Sequence, residues 1–389
     1  MAPLIILWIS ILAIFHSYVL FPLILQLLGR CRRLQSKPDF ATPEPPMVSI
    51  LLSAYNEEEV IEEKIRSIYL TTYPSDRFEV LIGSDASTDR TVEIVDQLTK
   101  EFSSLHFFPS DQRRGKPNVI NSLVEKALGE ILILTDANVI FESDTLSHLI
   151  APFANPKIGL VDTRMINLGM KREGISHQEK AYISREVNIK HLESILWGAM
   201  MGPFGGCFAI RTRLFEPVPP TYLVDDFYLN MKVLESGYLA INNPDACVYE
   251  DVSNELSIEF RRKIRIATGN FQNLVRFRRL LVSSRAGIAF SFWSHKVLRW
   301  LGPFFLFAVG FSLVWLSFTS TSYLILLIGF LALMAVPLAD QLLKKVNLHV
   351  SFFRFITHFL AMNLALLLGF IRFLKGVKTN VWQPTKRHQ

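Results

Sequence analysis

Two stretches at the ends of the chain carry no charged side chain, and they constrain everything between them. Residues 1–29 contain no Lys, Arg, Asp or Glu, and neither do residues 300–339. The first stretch is long enough to cross the hydrocarbon core of a bilayer. The second is long enough for two spans joined by a turn at the Ser/Thr cluster 317–322. A third apolar run, 355–371, is at the lower limit for crossing. Pro22 would only kink the first span. Arg30, Arg32 and Arg33 follow it at once, which predicts an outside N-terminus and cytoplasmic residues from 30 onward. A cleaved signal peptide wants its positive charge before the apolar run and a small-residue site after it. Neither is present, so the reading is a retained anchor.

Half of the residues are hydrophobic and the mean hydropathy is +0.28, yet 20% are charged. Charged and apolar residues are therefore segregated, as in a membrane protein with one sizeable soluble domain. The formal charge of +6 suits an anionic membrane surface or an anionic ligand. It is too small and too dispersed to argue for a nucleic-acid partner. The three cysteines, Cys31, Cys207 and Cys247, have no disulfide or zinc spacing, which suits a reducing compartment.

Domain limits follow: an anchor at 1–29, a Pro-containing linker at 30–46, a soluble domain at 47–285, an interfacial helix at 286–299, membrane segments at 300–372 and a basic tail at 373–389. Arg372 stands at its border, and the tail itself carries Lys375, Lys378, Lys386 and Arg387. Those charges favour the cytoplasm, whereas four spans from an outside start would leave the tail outside.

Within the soluble domain, strands at 47–53, 78–83, 105–108 and 131–134 alternate with helical patterns at 57–69, up to Leu98, and after Pro117. Such βαβ units make a mainly parallel sheet. A further strand is expected at 158–165, a long helix at 174–197, a Gly-rich turn and strand at 202–211, a helix from Asp225 to Glu235 closed by Gly237, and a last strand at 246–249.

The run Ile131 to Leu134 is continuously apolar, as in a strand covered on both faces. It ends in Thr135-Asp136-Ala137-Asn138. In open α/β sheets, ligands bind at the carboxyl ends of the parallel strands. In an extended segment, residues two apart point the same way. Asp136 and Asn138 would then offer two hard oxygens to one divalent cation. The alternative is a strand end with Asp136 capping the next turn.

Six landmarks stand in order: Ser53-Ala54-Tyr55-Asn56-Glu57-Glu58, Ser84-Asp85-Ala86-Ser87-Thr88-Asp89, Arg113-Arg114-Gly115-Lys116, Thr135-Asp136-Ala137-Asn138, Val224-Asp225-Asp226-Phe227-Tyr228-Leu229 and Arg262-Lys263-Ile264-Arg265-Ile266. In this order and spacing the set resembles the membrane-bound family 2 glycosyltransferases, which include hyaluronan, chitin, cellulose and poly-N-acetylglucosamine synthases. Each motif alone is weak; the ordered set is specific, and it covers about residues 47–285.

The resemblance implies an α/β GT-A fold: a Rossmann-like, mainly parallel cytoplasmic domain with one N-terminal and two to three C-terminal transmembrane helices. It implies an inverting, metal-dependent enzyme of the bacterial inner or plasma membrane. A sugar would pass from a nucleotide-sugar, expected to be a UDP-sugar, to a lipid-linked glycan or growing polysaccharide.

Residue by residue, the resemblance makes Ala54, Tyr55, Asn56, Glu57 and Asp85 the nucleotide pocket. A carboxylate there can accept from the uracil imide N–H, and Tyr55 can stack on the base. Asn56 and Ser87 can equally cap helices. Lys116 would meet the diphosphate; a lysine at the start of a helix is poorly placed for the helix dipole unless an anion sits there. Asp136 and Asn138 resemble the Asp-x-Asp metal motif, with Asn in the second acidic position. The cation, Mg²⁺ or Mn²⁺, would neutralise the leaving nucleoside diphosphate.

Asp226 resembles the catalytic Asp of a Thr-Glu-Asp motif and would take the proton of the acceptor hydroxyl, with Asp225 beside it on the acceptor side. Both can also be read as first-turn residues of a helix. Gly205 and Gly206 resemble the acceptor-side loop.

Arg262-x-x-Arg265-Ile266 stands where processive synthases carry Gln-x-x-Arg-Trp. Arg265 would clamp the diphosphate; the missing Trp argues against a long-chain synthase. A single-addition polyprenyl-phosphate or sphingolipid glycosyltransferase is the alternative, and a non-enzymatic membrane subunit a further one. The tail segment from Trp382 resembles a gating segment of some relatives, or is plain tail. A Rossmann dehydrogenase is disfavoured because no Gly-x-Gly-x-x-Gly follows the first strand.

Overall fold

The computed structural model describes residues 1–32, 44–168, 176–251, 256–346, 348 and 350–380. Trp382, most of the linker and most of the basic tail lie outside the described residues. The chain divides into two compact units. One gathers residues 1–27, 171–183 and 254–376; the other gathers 28–170, 184–253 and 377–389.

The chain opens with α1 (Ala2–Phe15), a π-helical turn over His16–Leu20, and α2 (Phe21–Arg32). The sheet unit then runs β1 (Val48–Ala54), α3 (Ile61–Tyr69), β2 (Phe78–Asp85), α4 (Thr91–Glu101), β3 (Leu105–Ser110), α5 (Lys116–Val124), β4 (Ile131–Thr135), β5 (Val139–Phe141), α6 (Thr145–Ile150) and β6 (Ile158–Leu168). It continues with α7 (Ser176–Trp197), β7 (Cys207–Arg211), α8 (Asp225–Glu235) and β8 (Leu239–Asp251).

Eight strands form one sheet in the order β3-β2-β1-β4-β7-β6-β8-β5. The strands β3, β2, β1 and β4 are parallel, β7 inserts antiparallel between β4 and β6, and β6 runs parallel to β8. Ile131, Leu132, Ile133 and Leu134 are all buried, as their unbroken apolar run requires of a central parallel strand. Ile61, Ile65 and Ile68 of α3 pack on one face in the same core as Ile50, Leu52, Val80 and Ile82.

Three expectations are corrected. The first helix starts at Ile61 rather than at residue 57, because 57–60 form a turn whose backbone is used by a neighbouring loop. The last strand starts at Leu239 rather than at residue 246. Its Asn242-Asn243-Pro244-Asp245 stretch reads as a turn in sequence but continues the strand past a register shift. Residues 136–138 turn rather than extend, so the two-residue alternation does not apply to Asp136 and Asn138.

The second unit contains α9 (Leu256–Arg276), α10 (Ala286–Ser291), a π-helical turn over Phe292–Val297, α11 (Leu298–Trp300), α12 (Gly302–Ser317), α13 (Thr321–Lys345) and α14 (Ser351–Leu374). Ala2–Arg30, Thr321–Lys345 and Ser351–Leu374 are each long and apolar enough to cross a membrane. The last is 24 residues, longer than its charge-free core, because the helix runs on through Arg354 and Arg372. Ala286–Trp300 and Gly302–Ser317 form a pair bent by 61°. Pro303 lies in the first turn after the bend and has no N–H to continue the upstream ladder. The segment expected to be an interfacial helix is thus continuous with α12 through that bend. α9, expected within the soluble domain, packs instead on α14, with Phe271 and Phe370 edge to face at 5.1 Å.

Candidate active site

The parallel strands β1, β2 and β4 end together: Ala54 pairs with Ser84, and Leu52 with Thr135. Asn56 and Asp85 therefore emerge beside each other. Asp85 is buried, and its two carboxylate oxygens accept the backbone N–H groups of Arg114 (2.6 Å) and Gly115 (3.0 Å). The Arg113 guanidinium lies 3.5 Å over the Tyr55 ring, and its Nε is 3.9 Å from Asp85. Asn56 has φ 53°. Its side chain accepts the N–H of Thr88 at 2.8 Å, and the Glu57 N–H donates to Thr91 Oγ1 at 2.8 Å. The loop after β1 thus braces the loop after β2. Both roles expected of Asn56 converge on this edge, but its side chain acts here as a loop clamp.

Lys116 is the first residue of α5. Its ammonium is 2.6 Å from Asp136 and 3.9 Å from Asp225. Burial alone would pull it down, but the Asp136 and Asp225 carboxylates outweigh that and hold it well above the usual lysine range. Gly115, with φ 83°, precedes it; a Cβ there would collide with Asn380 Oδ1. Asp136 is anchored through its backbone, which donates to Gly206 O at 2.9 Å, while Thr135 Oγ1 donates to the same carbonyl at 3.1 Å. Beneath this turn, the fully buried Lys64 donates to Thr135 Oγ1 and Val139 O and stacks on Phe141. Burial brings its ammonium down to about 7. Asn138 turns inward and donates through Nδ2 to Glu250 Oε1 at 3.0 Å; both residues are buried.

On the other side of Lys116, Asp225 and Asp226 open α8. Phe227 N–H donates to Asp226 Oδ1 at 2.7 Å. Burial, and then the neighbouring Asp225 carboxylate, push the Asp226 carboxyl up to about 7, against the pull of Lys116 and Lys190. Gly205 has φ 85°, and a Cβ on it would come 2.6 Å from Asp226 Oδ2, so only glycine lets this loop lie on the carboxylate. The loop is held from below by a buried ion pair. Lys190 Nζ is 2.8 Å from Asp162, and it lies 3.3 Å from the Phe204 ring centroid. Asp162 also accepts from Asn242 and from the Phe204 backbone.

A parallel-strand edge carrying an aspartate clamp, a lysine shared by carboxylates of two loops, and a raised aspartate beside a glycine loop form one cluster. Residues 49–218 match the family model Glycosyl transferase family 2. This segment is a family 2 glycosyltransferase domain. The probable glycosyltransferase YdaM of Bacillus subtilis is 25% identical over 249 residues, covering 60% of this chain and 57% of its own length. A beta-monoglucosyldiacylglycerol synthase of Nostoc sp. is 27% identical over 247 residues, covering 62% and 53%. A poly-beta-1,6-N-acetyl-D-glucosamine synthase of Staphylococcus aureus is 31% identical over 129 residues, covering 33% and 31%. The chain spans about half the length of the first two relatives. In fold it is similar to the mannosyltransferase PcManGT from Pyrobaculum calidifontis, solved in complex with GDP-Man and Mn²⁺. That likeness covers 95% of this chain and 99% of that one, with TM-score 0.69 and 24% identity. The sheet unit has the GT-A fold.

Of the expected site residues, the sheet unit holds Ala54, Tyr55, Asn56, Glu57, Asp85, Lys116, Asp136, Asn138, Gly205, Gly206, Asp225 and Asp226. Arg262 and Arg265 lie on α9 in the other unit, where Arg262 is 3.6 Å from Glu259. Sequence reading missed Lys64, Asp162, Lys190 and the contact of Glu250, since partners so far apart in the chain leave no local pattern.

The Asp136 carboxylate and the Asn138 carbonyl, at the end of β4, are the two donors that the resemblance assigns to a divalent cation. Among the described residues no group of three or more His, Cys, Asp or Glu side chains converges. Asp136 supplies one partly exposed carboxylate, and Asn138, with its nitrogen committed to Glu250, has only its carbonyl oxygen left to give. A Mg²⁺-like ion held by one or two protein oxygens takes its remaining ligands from substrate phosphates and water.

Proposed function

We propose that the chain is an inverting, metal-dependent membrane glycosyltransferase that moves a sugar from a nucleotide-sugar to a lipid-linked glycan or growing polysaccharide. The observation that carries this reading is the Lys116 bridge: one ammonium reaches the donor-side Asp136 and the acceptor-side Asp225, next to Asp226. Asp226, raised to about 7, is poised to accept a proton near neutral pH. The acceptor hydroxyl gives its proton to the Asp226 carboxylate as its oxygen bonds to the anomeric carbon. The bond from that carbon to the diphosphate breaks on the opposite face, and the electron pair leaves with the nucleoside diphosphate.

Lys116 stabilises the charge that develops on the leaving group. Asp136 and the Asn138 carbonyl would hold a divalent cation, Mg²⁺ or Mn²⁺, which would neutralise the diphosphate. Asp85 and Tyr55 orient the base. The Mn²⁺ and GDP-Man bound in the solved mannosyltransferase support a cation and a nucleotide-sugar. The resemblance of the motifs points to UDP. Arg262 and Arg265 are assigned to the diphosphate by that resemblance alone. The catalytic face is assigned to the cytoplasm from the arginines after residue 29.

A second reading, one sugar per lipid acceptor, is favoured by Ile266 in place of an acceptor-stacking Trp and by the glycolipid synthase among the relatives. The test uses membranes containing the chain, a panel of radiolabelled UDP- and GDP-sugars with Mg²⁺ or Mn²⁺, and sizing of the product after lipid extraction. A short lipid-extractable product assigns single addition, and a high-molecular-weight product assigns polymerisation. Failure of every donor, with nucleotide binding also absent, overturns the enzyme reading.

A further inference from the structure

The apolar stripe of α3 has a lysine in its middle. Ile61, Lys64, Ile65 and Ile68 recur at helical spacing, and all four are fully buried. The three isoleucines belong to the core of the sheet unit. Burying an ammonium is costly unless it is paired. Among the described residues Lys64 forms no ion pair. It donates to Thr135 Oγ1 at 3.0 Å and to Val139 O, and its Nζ lies 3.5 Å from the Phe141 ring centroid. The Asp136 carboxylate acts on it only from longer range. A Met or Leu would serve the packing at this position better, which points to a use other than stability.

The two oxygens that Lys64 holds flank Asp136-Ala137-Asn138. Thr135 ends β4 and Val139 starts β5, so one ammonium fastens both ends of the turn that carries Asp136. The Thr135 hydroxyl has a single proton. An ammonium has only protons to give, so the hydroxyl accepts from Lys64 and turns its own proton to Gly206 O, 3.1 Å away. That carbonyl also accepts the Asp136 N–H at 2.9 Å. Gly206 follows Gly205, the residue that lies on the Asp226 carboxylate. Hydrogen bonds thus run from Lys64 through Thr135 to the glycine loop. They tie the donor side to the acceptor side a second time, independently of Lys116.

We propose that Lys64 is a positioning residue: it fastens the Asp136 turn and, through the Thr135 hydroxyl, sets the Gly205-Gly206 loop against Asp226. It acts through Thr135 and Val139 rather than on the sugar donor or acceptor. This rests on the sugar-transfer reading above for the roles of Asp136 and Asp226. Two substitutions cut the connection from its two ends. Lys64→Met keeps the length and packing of the side chain and removes its hydrogen bonds. Thr135→Val keeps the shape and removes the hydroxyl through which Lys64 reaches Gly206.

The experiment compares wild type, Lys64→Met, Thr135→Val and the double variant. Sugar transfer is measured in membranes containing the full chain, with the UDP- or GDP-sugar that wild type uses. Binding of UDP and GDP and the melting temperature are measured on the purified full chain in detergent. Lys64→Met is expected to lower kcat about 10- to 100-fold, with nucleotide binding retained and the melting temperature unchanged or higher. A residue that served packing alone would not separate transfer from stability in this way. Thr135→Val is expected to lower kcat as well, and the double variant to fall no further than the larger single loss, because both changes cut one connection. A Lys64→Met chain that transfers like wild type overturns the proposal. So does one that melts lower and loses transfer and nucleotide binding together, and so do single losses that multiply in the double variant. Wild-type chain that transfers no sugar and binds neither nucleotide overturns the enzyme reading, and the proposal with it, a result distinct from these.

Discussion

The two sides of the candidate active site hold aspartates by opposite means. On the donor side, Asp85 and Asp136 meet cationic or N–H partners directly: two backbone amides for one and the Lys116 ammonium for the other. On the acceptor side, Asp226 is buried beside a second carboxylate, and it is pushed up to about 7. In the proposed function, one residue type thus anchors loops and cation on one side and accepts a proton on the other, and only the surroundings differ. A group that must take a proton and release it benefits from a balance near neutrality.

The difference extends to construction. The donor side rests on strand ends in register and on loop backbones. The acceptor side rests on a buried ion pair, Lys190 with Asp162, under the Phe204-Gly205-Gly206 loop. Breaking that pair should give the largest stability effect. Asp162→Asn leaves Lys190 buried without its counter-charge and should cost about 3–5 kcal/mol, read from denaturant unfolding. A cost no larger than that of a surface substitution would remove the ion pair as the support of the acceptor loop.

Lys116 joins the two sides, so Lys116→Met should lower kcat/KM about 10²-fold or more, with donor KM rising. A variant that changes only acceptor KM would detach Lys116 from the donor side. Gly205→Ala addresses the acceptor side alone. It places a Cβ 2.6 Å from Asp226 Oδ2 and strains a backbone at φ 85°. It should lower kcat about 10- to 100-fold while leaving nucleotide binding intact, as isothermal titration would record.

A further effect is one of pH. Asp226 acts as its carboxylate and gains a proton as pH falls through about 7. Its charge is balanced against Asp225, Lys116 and Lys190. Hence kcat/KM should fall with decreasing pH below about 7, by about tenfold per unit. A flat profile down to pH 5 would place the essential base elsewhere.

What the sequence made legible follows the same division. The unbroken apolar run of β4 and the mostly apolar runs of β1 and β2, each followed by a polar cluster with Asp or Asn, marked these strands and with them Asp85 and Asp136, because a buried parallel strand and its ligand-binding end are local patterns. Asp225 and Asp226 were legible as a helix start. The strand β8 was half hidden, since Asn242 and Pro244 look like turn residues while Asn242 in fact bonds Asp162 inside the sheet. The strand β5, at three residues, is too short to show a period. The pairs Asp162–Lys190 and Asn138–Glu250 depend on strands and a helix meeting across the fold. Nothing in either neighbourhood of the chain announces its partner.

The central claim is that Asp226 takes the acceptor proton in a donor site assembled without it. The measurement that tests it most directly is single-turnover sugar transfer by Asp226→Asn, with nucleotide binding measured on the same preparation. The expected result is a transfer rate lower by about 10³-fold or more with nucleotide affinity unchanged. Transfer at the wild-type rate, or a loss that merely follows a loss of nucleotide binding, would contradict it.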